Sequence, residues 1–135
     1  MGKLTKNQLT QLGDSYLRYA QAIGNYRINN YARMSKLMRT RSREYYNSLN
    51  DYSNSFYLAG TNYIINEAET SIEQMKEVAQ GLDEAIAKIE KVHTVVKTIG
   101  AAVELGAAII SKQPIAIVAS LEHFVEAYKK LKDAE

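Results

Sequence analysis

The sequence predicts an all-α protein: an elongated antiparallel helical hairpin of the coiled-coil type, with a third C-terminal helix packing back to form a three-helix bundle at one end. One observation is the run of apolar or small residues, at alternating steps of three and four, from Ile65 to Ile110. A second is the similar stripe in the first fifty residues, and the third is the scarcity of helix breakers between them. We expect a single domain over residues 1–135.

The first helix is expected from about residue 5 to about residue 50. Its apolar stripe comprises Leu9, Leu12, Tyr16, Tyr19, Ile23 and Tyr26. Asn30 and Arg33 take the next stripe positions, and the pattern then resumes out of phase at Met38. Such a phase change predicts local unwinding of a coiled coil or a change in the face that contacts the partner helix.

The second helix is expected from about residue 61 to about residue 111. It follows a polar stretch, 47–55, whose side chains compete with helical hydrogen bonds, and Gly60 and Thr61 suit a C-terminal and an N-terminal cap. A stripe with a period of 3.5 residues stays on one face only if the helix supercoils against a partner. At about 1.5 Å per residue, the continuous stripe would span roughly 70 Å.

The third helix is expected from about residue 114 to about residue 133. Pro114 suits the first turn of a helix and disfavours helical geometry at the residue before it. The stripe of this helix comprises Ile117, Leu121, Phe124, Tyr128 and Leu131.

The charges divide between the two halves of the chain. The net formal charge is +2, yet residues 1–60 hold nine Lys/Arg and three Asp/Glu, whereas residues 61–135 hold eight and twelve. Such halves are expected to associate with each other or with oppositely charged partners. The absence of cysteine excludes disulfides, zinc–thiolate sites and thiol catalysis. No signal-peptide pattern is present, so the default expectation is cytoplasmic, and export without a signal stays open.

A basic and aromatic stretch is the first candidate binding surface. The residues that could contact a partner are Tyr26, Arg27, Tyr31, Arg33, Lys36, Arg39, Arg43, Tyr45 and Tyr46. Arginine and tyrosine suit protein interfaces, and they also suit phosphates and unpaired bases of nucleic acids. A third interpretation pairs these cations within the chain, with Glu69, Glu73, Glu77, Asp83 and Glu84 of the second helix. Likewise, the nine tyrosines between Tyr16 and Tyr63 fit either a partly hydrated helix seam or a partner surface.

The second candidate is an apolar hairpin over residues 98–121. Its large apolar residues are Ile99, Val103, Leu105, Ile109, Ile110, Ile115, Ile117 and Val118. Each arm is shorter than the roughly 20 apolar residues needed to span a bilayer. Membrane insertion of the hairpin is one interpretation, and burial in the core, favoured by Glu104 and Lys112, is the other.

Catalytic and metal-binding patterns are almost absent. Glu90 and His93 give one Glu-x-x-His motif, but di-iron bundles need two together with further glutamates. His93 is therefore expected to be a partly buried stripe residue. We expect no enzyme activity, no cofactor, no metal and no small-molecule substrate.

The expected function is that of a non-enzymatic interaction protein. It would bind a protein partner or self-assemble through coiled-coil surfaces, as an adaptor, a chaperone-like subunit or a structural subunit. The alternatives are a membrane-active, pore-forming-like protein that inserts the 98–121 hairpin, and a nucleic-acid-binding protein that uses the Arg/Tyr stretch.

Overall fold

The chain is folded into α-helices that pack against one another, so the all-α prediction is confirmed. A computed structural model describes residues 3–59 and 63–133. Over these residues it has five α-helices: α1 (Lys6–Asn30), α2 (Lys36–Leu58), α3 (Ala68–Ala87), α4 (Val92–Ile110) and α5 (Pro114–Asp133). A short 3₁₀ turn, Tyr31–Arg33, follows α1.

The helix expected over residues 5–50 is two helices, so that prediction is wrong. Asn30 leaves helical geometry at φ −125° and ψ 13°, and α2 begins after Ser35, whose hydroxyl accepts a hydrogen bond from the Met38 N–H at 3.1 Å. The break falls where the stripe changes phase, because Asn30 and Arg33 present no apolar side chain to hold a continuous helix. Moreover, α2 continues to Leu58, through the polar stretch 47–55.

The helix expected over residues 61–111 is also two helices. It begins later, at Ala68, and is interrupted between Ala87 and Val92, where Lys91 adopts an extended backbone at φ −77° and ψ 94°. The continuous rod of roughly 70 Å therefore does not form. The corner expected at residues 60–62 lies outside the described residues.

The structure places the last helix at Pro114–Asp133, and its buried face carries Ile117, Leu121, Phe124, Tyr128 and Leu131. Lys112, with φ of 57°, makes the tight connection between α4 and α5. Left-handed geometry at this position lets the chain reverse within three residues.

The first helix folds back on the second instead of lying along a single long partner. Ser53 of α2 donates a hydrogen bond to the Gly13 carbonyl at 2.8 Å, and Arg27, further along α1, bonds to Ser42, earlier in α2. The two helices are therefore antiparallel. By contrast, α1 and α3 run parallel, because the segment before α1 pairs with residues 63–64 and the end of α1 lies at the end of α3.

Helix α1 lies at the centre of the packing and contacts α2, α3 and α4, while α5 lies against α3 and α4. Tyr16, Tyr19 and Ile23 of α1 are fully buried. The Tyr16 ring makes an edge contact with Phe56 of α2 at 5.5 Å between centroids, and the Tyr19 ring does so with Phe124 of α5 at 5.1 Å. Aromatic contacts in this geometry stabilise the core beyond the area that they bury.

Candidate functional site

The corner between α1 and α2 carries charges of one sign only. Residues 27–43 contain six Lys/Arg and no Asp/Glu. Arg27 holds the corner closed: its Nε donates to Ser42 Oγ at 2.9 Å and its Nη2 to the Arg39 carbonyl at 3.1 Å. This half-buried arginine therefore stabilises the fold of the corner.

Two arginines lie over the ring of Tyr31 at the surface of this corner. The guanidinium carbons of Arg39 and Arg27 lie 4.1 Å and 5.5 Å from the centre of its ring. Arg39 Nε also donates to the Tyr31 carbonyl at 3.0 Å. The ring and the two guanidinium groups are thus fixed before any partner arrives, which lowers the entropy cost of binding.

Two other predicted contact residues donate hydrogen bonds to the segment that connects α3 and α4. The buried Tyr26 hydroxyl donates to the Ile89 carbonyl at 2.8 Å, and Arg33 Nη1 donates to the Glu90 carbonyl at 3.1 Å. Burial raises the pKa of Tyr26, although the nearby Arg33 opposes the shift. The break after α1 and the break after α3 therefore lie side by side.

The remaining predicted contact residues differ in how far they are exposed, and two apolar residues are also exposed at this corner. Lys36, Arg43 and Tyr46 are exposed, whereas Tyr45 is half-buried against Gly100 of α4. Beside them, Ile28 is 79% exposed and Leu37 is 56% exposed. Sequence reasoning missed these two, although both are large apolar residues that fall outside the stripe, and that was an available signal.

A groove runs along the outer face of α1, between α2 and α3. Its volume is about 780 Å³, and its lining residues are Arg18, Gln21, Gly24, Asn25, Arg27, Ile28, Tyr46, Ala79, Gln80 and Asp83. Gly24 and Ala79 are its smallest lining residues, and the Tyr46 ring lies against Gly24. The groove adjoins the corner, because Arg27 and Ile28 belong to both and Tyr46, which also lines the groove, follows the corner closely in sequence. We call the corner (residues 27–43) and this groove together the α1–α2 surface.

The expected pairing of corner cations with the second helix does not occur over residues 3–59 and 63–133. None of Arg33, Lys36, Arg39 and Arg43 forms an ion pair with an acidic residue of α3. The reason is the fold, since α2 packs on α1 and α4 and is kept away from α3. The corner cations consequently face solvent or contact uncharged groups of this chain.

The predicted apolar hairpin is divided between core and surface. Ile99, Leu105, Ile109 and Ile117 are buried, Val103 and Ile110 are half-buried, and Val118 and Ile115 are exposed, Ile115 to 88%. Within the described residues, Val92–Ile110 is the one helix long and apolar enough to cross a membrane, and 56% of its apolar window lies inside the fold. Core helices of soluble proteins pass the same test.

The described part of the chain brings few potential metal ligands together. It contains no group of three or more His, Asp or Glu that could hold a metal ion, and its buried side-chain nitrogens and oxygens all have hydrogen-bond partners. His93 is exposed in the first turn of α4, so its expected place in a buried stripe is wrong. It lines a cavity of about 210 Å³ together with Glu104 and His123.

Comparison of the chain with protein-family models, curated proteins and solved structures finds no match.

Proposed function

We propose that this chain is a non-enzymatic interaction protein whose α1–α2 surface binds an acidic segment of a protein partner. The observation that carries the proposal is the combination of a cation-rich corner that lacks acidic residues, exposed apolar side chains within it, and an adjoining groove of about 780 Å³. Opposite charge on the partner would guide its approach, and apolar contacts would hold it.

The apolar anchors favour a protein as the partner. Ile28 and Leu37 expose most of their surface, and the Tyr31 ring contacts arginines at the same corner. Interfaces between proteins are rich in aromatic residues and arginine at their centres. A partner helix or extended segment with apolar and acidic side chains would contact both the exposed apolar residues and the cations of the corner.

Hydrogen bonds within the chain leave fewer arginine N–H groups for any anionic ligand. Arg27, Arg33 and Arg39 donate hydrogen bonds to backbone carbonyls of this chain. Fewer of their N–H groups are then free for phosphates or carboxylates than the sequence suggests. Lys36, Arg41 and Arg43 are exposed, and these cations are the ones best placed to contact a ligand.

A site-specific photo-crosslink tests the proposal. Leu37→benzoylphenylalanine places the crosslinker within the corner, and Asn54→benzoylphenylalanine, at an exposed position of α2 outside the corner and the groove, is the control. After irradiation in cells that express the chain, we expect a discrete protein adduct from position 37 and none from position 54. Adding Lys36→Glu and Arg43→Glu to the first variant should remove that adduct.

Two outcomes would overturn the proposal. One is equal crosslinking from both positions, because the corner would then be no more than an ordinary surface. The other is retention of a single-stranded oligonucleotide by the native protein at about 50 mM salt, lost on charge reversal at Lys36 and Arg43, which would assign the corner to nucleic acid.

A further inference from the structure

A second groove lies between α3 and α5, on a different part of the molecule from the α1–α2 surface. Its volume is about 520 Å³. The floor is apolar, with Ile117 and Leu121 almost fully buried and Val118 half exposed along its edge. We call it the α3–α5 groove.

The rim of the α3–α5 groove is predominantly acidic. Glu67, Glu122 and Glu126 line it, against a single ammonium group from Lys129. Glu126 also forms an exposed ion pair with Lys130 at 3.5 Å, and such a pair contributes little. A ligand that suits this groove would present an apolar side chain surrounded by cations.

The corner of the α1–α2 surface has that chemistry. Leu37 and Ile28 project apolar side chains there, and all six charged residues between 27 and 43 are cations. We infer that the occupant of the α3–α5 groove is the corner of a second copy of this chain. This inference rests on the proposed function, since it names a partner for the same corner.

The corner lies at one end of the molecule, and the α3–α5 groove begins at the other end. The start of α1 lies beside the start of the α3 segment, where the Leu4 N–H donates to the Tyr63 carbonyl at 2.9 Å. The corner lies at the far end, where Arg33 contacts Glu90 after α3. Within one chain, the helices therefore hold the corner away from the first part of the groove, at Ile65 and Glu67.

Because the two surfaces differ, the contact between copies is heterologous, in a head-to-tail sense. Each copy in such an assembly uses its corner on one neighbour and its groove on the other, so assembly continues into a ring or an open chain. The attraction between the rims is electrostatic and should weaken as salt increases.

Size-exclusion chromatography with light scattering tests this assembly. We expect the native protein to form oligomers larger than a dimer as its concentration rises at about 50 mM salt, and to dissociate at roughly 0.5 M salt. A corner variant, Lys36→Glu with Arg43→Glu, and a groove variant, Glu122→Lys with Glu126→Lys, should each raise the dissociation constant at least about ten-fold. Circular dichroism melts verify that both variants remain folded.

Mixing the two variants gives the distinguishing result. The corner variant retains a native groove and the groove variant retains a native corner, so an equimolar mixture should form a dimer and stop there. Combining all four substitutions in one chain leaves the corner with four cations and two anions and the groove with three cations and one anion, so both surfaces are net positive and assembly should stay lost. Glu77→Lys with Glu84→Lys, an equal charge change on α3 outside the groove lining, should leave assembly unchanged.

Other results would overturn the inference. A native protein that is monomeric at every concentration up to about 1 mM at low salt, or variants that remain monomeric when mixed, would exclude a second copy as the occupant. If position 37 still crosslinks to a different protein in that case, the proposed function stands and only the choice of partner fails. Absence of both self-association and crosslinking from position 37 would reject the corner as a binding surface.

Discussion

At the scale of single residues, the abundance of tyrosine is explained mainly by packing against glycine. Five glycines in the described helices each face the ring of a tyrosine on another helix. The pairs are Gly13 with Tyr57, Gly24 with Tyr46, Gly81 with Tyr128, Gly100 with Tyr45, and Gly106 with Tyr52. The sequence indicates a weak point at each helical glycine, but it cannot show which ring fills the space, because the two residues are distant in the chain.

Gly106→Ala should destabilise the fold. A methyl group at Gly106 would overlap the Tyr52 ring and reach within 3.0 Å of the buried Tyr16 ring. Overpacking of this kind costs about 1–3 kcal/mol, which exceeds the gain of up to about 1 kcal/mol from replacing a helical glycine with alanine. Urea unfolding should show a net loss of roughly 1 kcal/mol.

Gly24→Ala is the matched control for that substitution. Its methyl group would meet only the Tyr46 ring, at 3.0 Å, and that side chain is half exposed and can move. The helix-propensity gain should therefore leave this variant as stable as the native protein or slightly more so. Equal destabilisation by the two variants would show that the Tyr46 ring cannot move aside and would contradict the expected difference.

Alkaline pH should unfold the protein through its buried tyrosines. Burial raises the pKa of Tyr16 and Tyr19 well above the ordinary value of 10.0. Above pH 10 the folded state therefore binds more protons than the unfolded state, so the free energy of unfolding falls as pH rises through the folded pKa values. Below pH 10 the stabilisation is fully present. Urea unfolding at several pH values between about 8 and 11.5 measures the slope.

The double variant Tyr16→Phe with Tyr19→Phe separates this ionisation from other alkaline effects. It loses two hydrogen bonds, from the hydroxyls to the Ala102 and Met75 carbonyls at 2.9 Å and 2.6 Å. At neutral pH it should be less stable by about 0.5–1.5 kcal/mol for each bond. Its stability should nevertheless decline less steeply above pH 10, and parallel curves for the two proteins would contradict the assignment.

At the scale of helices, the two breaks differ in how far the sequence predicts them. The first has a local cause, because Asn30 and Arg33 interrupt the stripe and Ser35 can cap the next helix. The second has no glycine or proline and no phase change. It depends on hydrogen bonds from Tyr26 and Arg33 to the carbonyls of residues 89 and 90, and a periodicity argument cannot detect such bonds.

Tyr26→Phe should loosen the connection between α3 and α4. It removes the donor to the Ile89 carbonyl, which has left the regular helical pattern. The loss should be about 0.5–1.5 kcal/mol in unfolding free energy. Hydrogen exchange by mass spectrometry should be faster over residues 88–92, while α5 stays protected.

Tyr31→Phe is the control, because the Tyr31 hydroxyl is at an exposed position and the aromatic ring is kept. Exchange over residues 88–92 should match the native protein in this variant. Unchanged exchange in both variants would mean that other contacts hold the connection in place.

At the scale of the whole molecule, the stripe of the second half identifies the buried face correctly but not its neighbours. Ile72, Met75, Leu82 and Ile86 are all buried, as the stripe predicts. An apolar face is buried equally well against one long helix or against several short ones, since burial depends on area and not on the partner. The sequence therefore predicts the all-α class and much of the core, while the helix breaks and the assembled α1–α2 surface emerge only from long-range contacts.

The last prediction concerns the behaviour of α4 and α5 towards lipid. Much of α4 is covered by α5 and α2, and Ile99, Leu105 and Ile109 are fully buried. Exposing these side chains would cost roughly 1.5–3 kcal/mol each before any contact with lipid is made. Dye-loaded vesicles of phosphatidylcholine and phosphatidylglycerol should therefore not leak when the native protein is added, and residues 98–121 should stay protected from hydrogen exchange. Ile115→Ser, at the most exposed apolar position of this segment, is the control and should change neither result. Leakage at sub-micromolar native protein, together with fast exchange over residues 98–121, would show that the hairpin leaves the fold and would favour a membrane-active protein instead.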